Sequence, residues 1–261
     1  MPKPVRSILV ASSFLMVLAV TNVHAQTQPS PAQTEPRTAL VIHGGAGYVP
    51  RESLSAEAEQ LARADLQRAL DAGNDILAAG GAALDAVQAA IVVLEESPRF
   101  NAGKGAVFNA RGGHELDASL MEGHTRRAGA VAGVTTVRSP ITLARAVMEH
   151  SPHVMLAGEG AEAFADSRPE IQRVANDWFD TDHRRRSLDK AKQQAAAGMP
   201  EPGQYFGTVG AVALDRHGHI AAGTSTGGMT NKKWGRIGDS PVIGADLCRE
   251  WDLCGVWHGH W

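Results

Sequence analysis

Gly207-Thr208-Val209-Gly210 opens the run GTVGAVALD at 207–215, and GTSTGGMTNKKWGRIGDSPVIGA follows at 223–245. Small and apolar residues alternate from Thr208 onward, which gives a strand. A turn at Arg216–His219 leads back into a second strand, IAAGTST. A long polar stretch lies ahead of this hairpin. A threonine that follows a small residue at such a junction becomes a new N-terminus if the chain cuts itself there. The freed α-amine then sits beside the hydroxyl and activates it as a nucleophile. The implied reaction class is amide hydrolysis by an N-terminal threonine. An isolated GTVG is more often a plain β-branched strand position. Its surroundings add weight. Thr224, Ser225 and Thr226 lie on the returning strand, where alternation brings a second hydroxyl beside the first. Arg236 and Asp239 place opposite charges on the glycine-rich loop GRIGD. Such a pair suits the α-carboxylate and α-amine of an amino-acid substrate; alone it is more often a surface ion pair.

Working outward, helical and strand segments come in blocks, which points to sheets covered by helices. TALVIH at 38–43 is a short buried strand ended by Gly44-Gly45. Residues 53–79 have helical spacing through Leu54, Ala58, Leu61, Leu66, Leu70, Ile76 and Leu77; Ser55, Glu57 and Glu59 suit the first turn and Gly80-Gly81 the stop. Residues 82–96 repeat it through Leu84, Val87, Ala90, Ile91 and Leu94. RAGAVAGVTTV at 127–137 is a strand, and Pro140 starts a helix through ITLARAVMEH. HELDAS at 114–119, read as a strand, sets His114 and Leu116 on one face and Glu115 and Asp117 on the other. No second histidine stands there at ligand spacing, so a structural role is favoured over zinc. Residues 168–206 are polar, carry Arg184-Arg185-Arg186, and read as a mobile connector in front of Thr208.

The 261 residues, 43% hydrophobic and 20% charged, describe a globular chain with material for one or two domains. A net charge of −3 gives no electrostatic footprint for nucleic acid. Lys3 and Arg6 precede an apolar run over 8–20, and Val23 and Ala25 place small residues at −3 and −1 of a cleavage site. Residues 1–25 are therefore expected to be a secretory signal, too short in its apolar part to span a bilayer comfortably. The product is expected to be exported, to the periplasm, with no membrane association after signal removal. Residues 26–37, rich in Pro, Gln and Thr, read as a disordered spacer. The two cysteines, Cys248 and Cys254, fall in the last sixteen residues, so an exported fold upstream would not rest on disulfides.

HGGAG from His43, EESPRFNAGKGAVFN from Glu95, HELDASLMEG from His114, AGAVAGV from Ala128, SPHVMLAGEGAEAFA from Ser151 and the 207–245 stretch resemble, in order, the plant-type asparaginase / isoaspartyl peptidase family of N-terminal-nucleophile hydrolases. The resemblance covers residues from about 40 to 245. It implies an α+β, four-layer αββα sandwich that cuts itself between Gly207 and Thr208, with 38–207 becoming an α-subunit and 208 onward the start of a β-subunit. It implies Thr208 as nucleophile and Thr226 as the supporting threonine, with Asn101 holding the nucleophile's surroundings. Arg236 and Asp239 bind substrate, with Ile237 and Gly238 forming the loop between. The segment 94–100 resembles a loop that wraps a structural sodium ion with backbone carbonyls, those of Leu94, Glu95 and Phe100 among them; catalysis itself needs no cofactor. The implied activity is hydrolysis of L-asparagine and β-aspartyl (isoaspartyl) dipeptides, with a dimer of cleaved αβ heterodimers as the assembly. A glycosylasparaginase-like amidase is the alternative within the class. A P-loop reading of NAGKGAVFN lacks the required spacing.

After VIGA the family continues with a TYA-like step and a TGxGE loop that completes substrate binding and the oxyanion pocket. Here residues 246–261 read DLCREWDLCGVWHGHW. One permitted coding of that stretch, read one base on, gives TYAASGTCAVSGTGT, in the family's order. The expectation is a reading frame lost after Ala245, leaving an aberrant tail and a C-terminal part missing. On that reading the chain would fold poorly and be at best a weakly active or inactive remnant. Two other readings treat the tail as evolved: a zinc site of Cys248, Cys254, His258 and His260, at an unusual spacing, or a Cys248–Cys254 disulfide.

Overall fold

The computed structural model describes residues 37–45, 55–198 and 207–245. The expected signal, nearly all of the spacer, and the tail at 246–261 with both cysteines lie outside the described residues. β1 (Ala39–His43) is followed by α1 (Ala56–Ala78) and α2 (Ala83–Glu96). Next come β2 (Leu116–Glu122), β3 (Ala128–Val134), α3 (Pro140–His150), β4 (Met155–Ala157) and α4 (Gly158–Asp166). Then α5 (Asp182–Ala196), β5 (Val209–Leu214) and β6 (Ile220–Thr226) complete the order. The sequence places β1, both early helices, α3 and the β5–β6 hairpin within a few residues. Ser55 caps α1 by accepting the Ala58 N–H at 3.1 Å, as its position predicts.

The six strands form one sheet in the order β1-β5-β6-β2-β3-β4. All pairings are antiparallel except β3 with β4. The N-terminal strand thus docks on the strand that follows Thr208, with His43 opposite Gly210. Alternation gives the sheet two different faces. Leu116, Ala118, Leu120, Val131, Val209, Ala211, Ala213 and Ala221 are buried in one core with Val87, Ile91 and Leu94 of α2 and Leu143, Ala144 and Val147 of α3. Small residues let the helices approach closely: a Cβ on Gly129 would overlap the Ala144 carbonyl oxygen. The described residues supply one sheet and its helical cover from the α+β arrangement that the sequence predicts.

Side-chain hydrogen bonds tie the hairpin to the helices. Asp215, at the end of β5, accepts the Ala83 N–H that starts α2 at 3.2 Å, and also the His217 and His219 N–H groups at 2.9 and 3.0 Å. Burial raises the Asp215 carboxyl, but these donors outweigh it and hold the pKa below the ordinary aspartate value. On β6, Ser225 donates to Glu95 of α2 at 2.6 Å.

The segment read as a connector carries regular structure instead. Residues 176–179 form a 3₁₀ turn, and α5 follows with Thr181 as its N-cap. Its anchors are distant in sequence. Phe179 and Leu188 are buried. Asp180 meets His114 Nε2 at 3.0 Å, and Asn176 Nδ2 donates to the His114 and Thr135 carbonyls at 3.0 and 2.7 Å. Arg184 Nε donates to the Gly105 carbonyl at 2.7 Å, and the Arg185 guanidinium lies 3.8 Å from the Phe108 ring centroid. His114 is therefore a buried pin, its Nδ1 3.1 Å from the Val107 carbonyl. Polarity along α5 hid these long-range partners. Residues 199–206 lie outside the described residues.

Candidate active site

The β5–β6 hairpin sets the centre of the site. Its register pairs Val209 with Ser225 and Gly210 with Thr224, so Thr208 comes opposite Thr226. Directly opposite residues of an antiparallel pair point to the same face. Ser225 faces the helices, so Thr226 and Thr208 face the other way. The Thr208 hydroxyl donates to Thr226 Oγ1 at 3.1 Å and lies 3.3 Å from Ser240 Oγ. Thr226 Oγ1 also accepts the Gly228 N–H at 3.0 Å. Thr208, Thr226 and Ser240 are all buried.

Asn101 braces this hairpin from behind. Its Nδ2 donates to the Gly228 carbonyl at 2.7 Å, its Oδ1 accepts the Val107 N–H at 3.0 Å, and its own carbonyl accepts the Gly227 N–H at 3.1 Å. A Cβ on Gly207 would stand 2.9 Å from Asn101 Cβ, which explains a glycine just before Thr208. Asn101 thereby joins the turn after Thr226 to the junction before Thr208.

The GRIGD loop runs along the rim. Arg236 is half-buried, whereas Ile237 and Asp239 are exposed. The Arg236 guanidinium folds over Gly238, where a Cβ would come within 2.7 Å of Nη1. Asp239 accepts the Val242 N–H through its carbonyl at 2.8 Å. Ser240 draws the loop onto the sheet. Its carbonyl accepts from Ser119 Oγ at 2.5 Å and Thr224 Oγ1 at 2.8 Å while its hydroxyl faces Thr208. The structure thus brings Thr208, Thr226 and Asn101 together and lays the charged loop beside them.

Three buried polar groups near the site carry no sequence motif for the roles their side chains take here. Ser240 follows GRIGD and carried no motif of its own. Lys232 is buried, with Nζ donating to the Glu115 carbonyl at 2.8 Å and 3.9 Å from its carboxylate. Burial lowers its pKa, against the opposing pull of Asp117 and Glu115. Glu95, named from the sequence for its backbone carbonyl, uses its side chain to join three elements. It is buried and accepts from Ser139 Oγ at 2.5 Å, Ser225 Oγ at 2.6 Å and the Ile141 N–H at 3.0 Å. Burial outweighs those donors and pushes its pKa up to about 7. The signal for it was legible in principle: a carboxylate at the end of an apolar helix, with a Ser-Pro helix start elsewhere lacking a cap of its own.

Comparison with known proteins identifies the family. Residues 36–256 match the family model described as asparaginase, a match that runs into the tail beyond Ala245. The chain is similar to the isoaspartyl peptidase of Escherichia coli K12, 49% identical over 215 residues, covering 80% of this chain and 67% of the relative. It is similar to the isoaspartyl peptidase/L-asparaginase of Mus musculus, 44% identical over 217 residues, 83% of this chain and 65% of the relative. The human protein of the same name is 43% identical over 206 residues, 79% of this chain and 65% of the relative. The chain spans about two thirds of the length of these relatives. With most of its residues inside the family match and a hydroxyl pair built across its β5–β6 hairpin, this chain belongs to the asparaginase family.

Proposed function

We propose that this chain is the precursor of a threonine-type hydrolase that cuts itself between Gly207 and Thr208 and then hydrolyses L-asparagine and β-aspartyl (isoaspartyl) dipeptides, releasing L-aspartate. The observation that carries the reading is the Thr208–Thr226 hydroxyl pair, 3.1 Å apart and buried directly after a glycine junction. The relatives named above are isoaspartyl peptidases and asparaginases, which supplies the substrate class.

The freed α-amine of Thr208 accepts the proton of its own hydroxyl, and Oγ1 attacks the side-chain carbonyl carbon of the substrate. Thr226 holds the Thr208 hydroxyl in line. The leaving amine, ammonia or an amino acid, takes the proton from the α-ammonium. Water then releases aspartate from the acyl-enzyme and regenerates the hydroxyl. Arg236 binds the substrate α-carboxylate and Asp239 its α-ammonium, which restricts turnover to substrates carrying both.

The 94–100 turn suits a structural sodium ion. A Cβ on Gly105 would run into the carbonyl oxygens of both Phe100 and Pro98, and one on Gly103 into that of Glu95, so backbone oxygens crowd this turn. Hard cations take such oxygens. The carbonyls of Leu94, Glu95 and Phe100 would hold the ion and steady the turn that presents Asn101. In this reading residues 1–25 direct export to the periplasm, and the cleaved subunits pair as a dimer of αβ units.

Two measurements test the reading. Mass spectrometry of the purified protein should find a fragment beginning at Thr208, and aspartate should be released from asparagine and from a β-aspartyl dipeptide. An uncut chain without aspartate release would overturn it.

A further inference from the structure

Before the chain is cut, the nitrogen of Thr208 is an amide and offers no base. Among the described residues, the side chains hydrogen-bonded to Thr208 Oγ1 are the hydroxyls of Thr226 and Ser240, neither of them basic. A proton leaving Thr208 must therefore travel further. The register shows where. β2 pairs with β6 so that Asp117 stands directly opposite Thr226. Thr208, Thr226 and Asp117 therefore form one row across three adjacent strands, on the face turned away from the helices. Directly opposite Cβ atoms in such a ladder are about 5 Å apart.

Asp117 is fully buried, and its state is unusual. Oδ1 accepts the Gly133 N–H at 2.8 Å, brought within reach by the irregularity between Leu116 and Ala118 in the β2–β3 ladder. Oδ2 has no hydrogen-bond partner among the described residues. A buried carboxylate oxygen left without a donor costs free energy, and a group kept at that cost calls for a reason such as a role in the chemistry. Thr226 is its complement. Thr226 Oγ1 accepts from Thr208 and from the Gly228 N–H, which leaves its own proton to give. Charged groups around Asp117 come from two sides: Lys232 and Arg236 of the loop after β6, and Glu115 just ahead of β2. His43, the other basic side chain on this face, lies opposite Gly210, a row further on.

We infer that Asp117 is a positioning residue for self-cleavage, receiving through Thr226, across one bridging water, the proton that Thr208 loses when it attacks Gly207. The inference rests on the proposed cut between Gly207 and Thr208. Thr208 Oγ1 bonds to the Gly207 carbonyl carbon and its proton passes to Thr226, whose own proton passes across the water to Asp117. The Gly207 C–N bond then breaks, and the proton returns along the row to the departing Thr208 nitrogen. Water hydrolyses the resulting Gly207 ester, giving a Gly207 carboxylate and the free Thr208 hydroxyl. Once the α-amine exists it serves as the base, so Asp117 matters most before the cut. Burial, the largest influence, raises the Asp117 pKa against the opposing charges of Lys232 and Arg236, so the proton has somewhere to stay.

The test follows cleavage of the full chain over time by mass spectrometry across a pH series, with thermal unfolding of each variant as control. The wild-type rate should rise with pH as Asp117 ionises. Asp117→Asn should cut about a hundredfold more slowly and lose that rise. Thr226→Val, which keeps Asp117, should also lose it, and the double variant should be little slower than the slower single variant. If Asp117→Asn does not fold, the Thr226→Val profile decides. Cleavage of wild type and Asp117→Asn at equal rates, a pH rise that survives either substitution, or additive losses in the double variant would overturn the inference and leave the nucleophile assignment standing. A wild-type chain that never yields the Thr208 fragment removes the earlier reading, and this one with it.

Discussion

Ser225 and Thr226 are adjacent hydroxyl residues on one strand with opposite fates. Ser225 faces the helices and donates to Glu95, and through Glu95 it is linked to the start of α3 at Ser139 and Ile141. Thr226 faces the other way and receives the hydroxyl of Thr208. The helix side is an apolar core crossed by one satisfied polar hub. The opposite side gathers Thr208, Thr226, Asp117, Ser119 and Thr224 under the Ser240 turn. A pleat of period two separates the core-facing side from the hydroxyl-lined side, one residue apart, and on the proposed function that divides stability from chemistry.

The largest effect should come from the chemical face. Thr208→Ala should abolish the new N-terminus and lower aspartate release by at least about a thousandfold, while its melting temperature stays close to wild type. Thr208→Ser should retain part of both activities. Ser225→Ala should do the reverse, cutting normally but unfolding about 1–3 kcal/mol more easily, because it strips a donor from a buried carboxyl. A Ser225→Ala chain that folds normally but cannot cut would break the division between faces.

The rim comes next. Arg236→Ala should raise KM for asparagine about tenfold to a hundredfold, with a smaller change in kcat, since it removes a charged contact made to bound substrate. An unchanged KM would place the carboxylate clamp elsewhere.

The helix face makes a pH prediction of its own. The Glu95 carboxyl is raised from 4.5 to about 7, so it favours folding in its neutral form. Its contribution is complete below about pH 4.5 and is lost as pH rises through about 7, at most about 3 kcal/mol in all. Asp215 acts in the opposite sense. Its pKa is lowered, so its contribution is present above the ordinary aspartate value of 3.8 and lost as pH falls below it. Melting temperatures followed from pH 4 to pH 8 should decline on the alkaline side, and Glu95→Gln should flatten that decline. A Glu95→Gln profile parallel to wild type would remove Glu95 from the account.

The smallest effect should be at the hairpin end. Asp215→Ala takes an acceptor from the first N–H of α2 and should cost about 1 kcal/mol, read by chemical denaturation, with cleavage before Thr208 intact.

Local physics made much of this legible in the chain itself. Period-two alternation fixed β5 and β6 and the turn between them, so the meeting of Thr208 with Thr226 followed from a short hairpin whose register is set nearby. Helical spacing with Ser55, Gly80-Gly81 and Pro140 as punctuation located α1, α2 and α3, because caps and breakers act within a few residues. Alternation also put Asp117 on the face opposite Leu116. What it could not give was the neighbour strand: β2 pairs with β6 across more than a hundred residues, and only that pairing sets Asp117 beside Thr226. The same holds for α5, whose polar sequence is ordered by His114, Gly105 and Phe108, and for Glu95, whose side chain finds Ser225 and Ser139 only after three elements have packed. Short-range periodicity and steric rules are enough to specify the hairpin that carries Thr208 and Thr226 and the helices around it. The tertiary structure alone decided which buried polar groups share a face, since a hydrogen bond between distant strands is specified by packing and not by spacing along the chain.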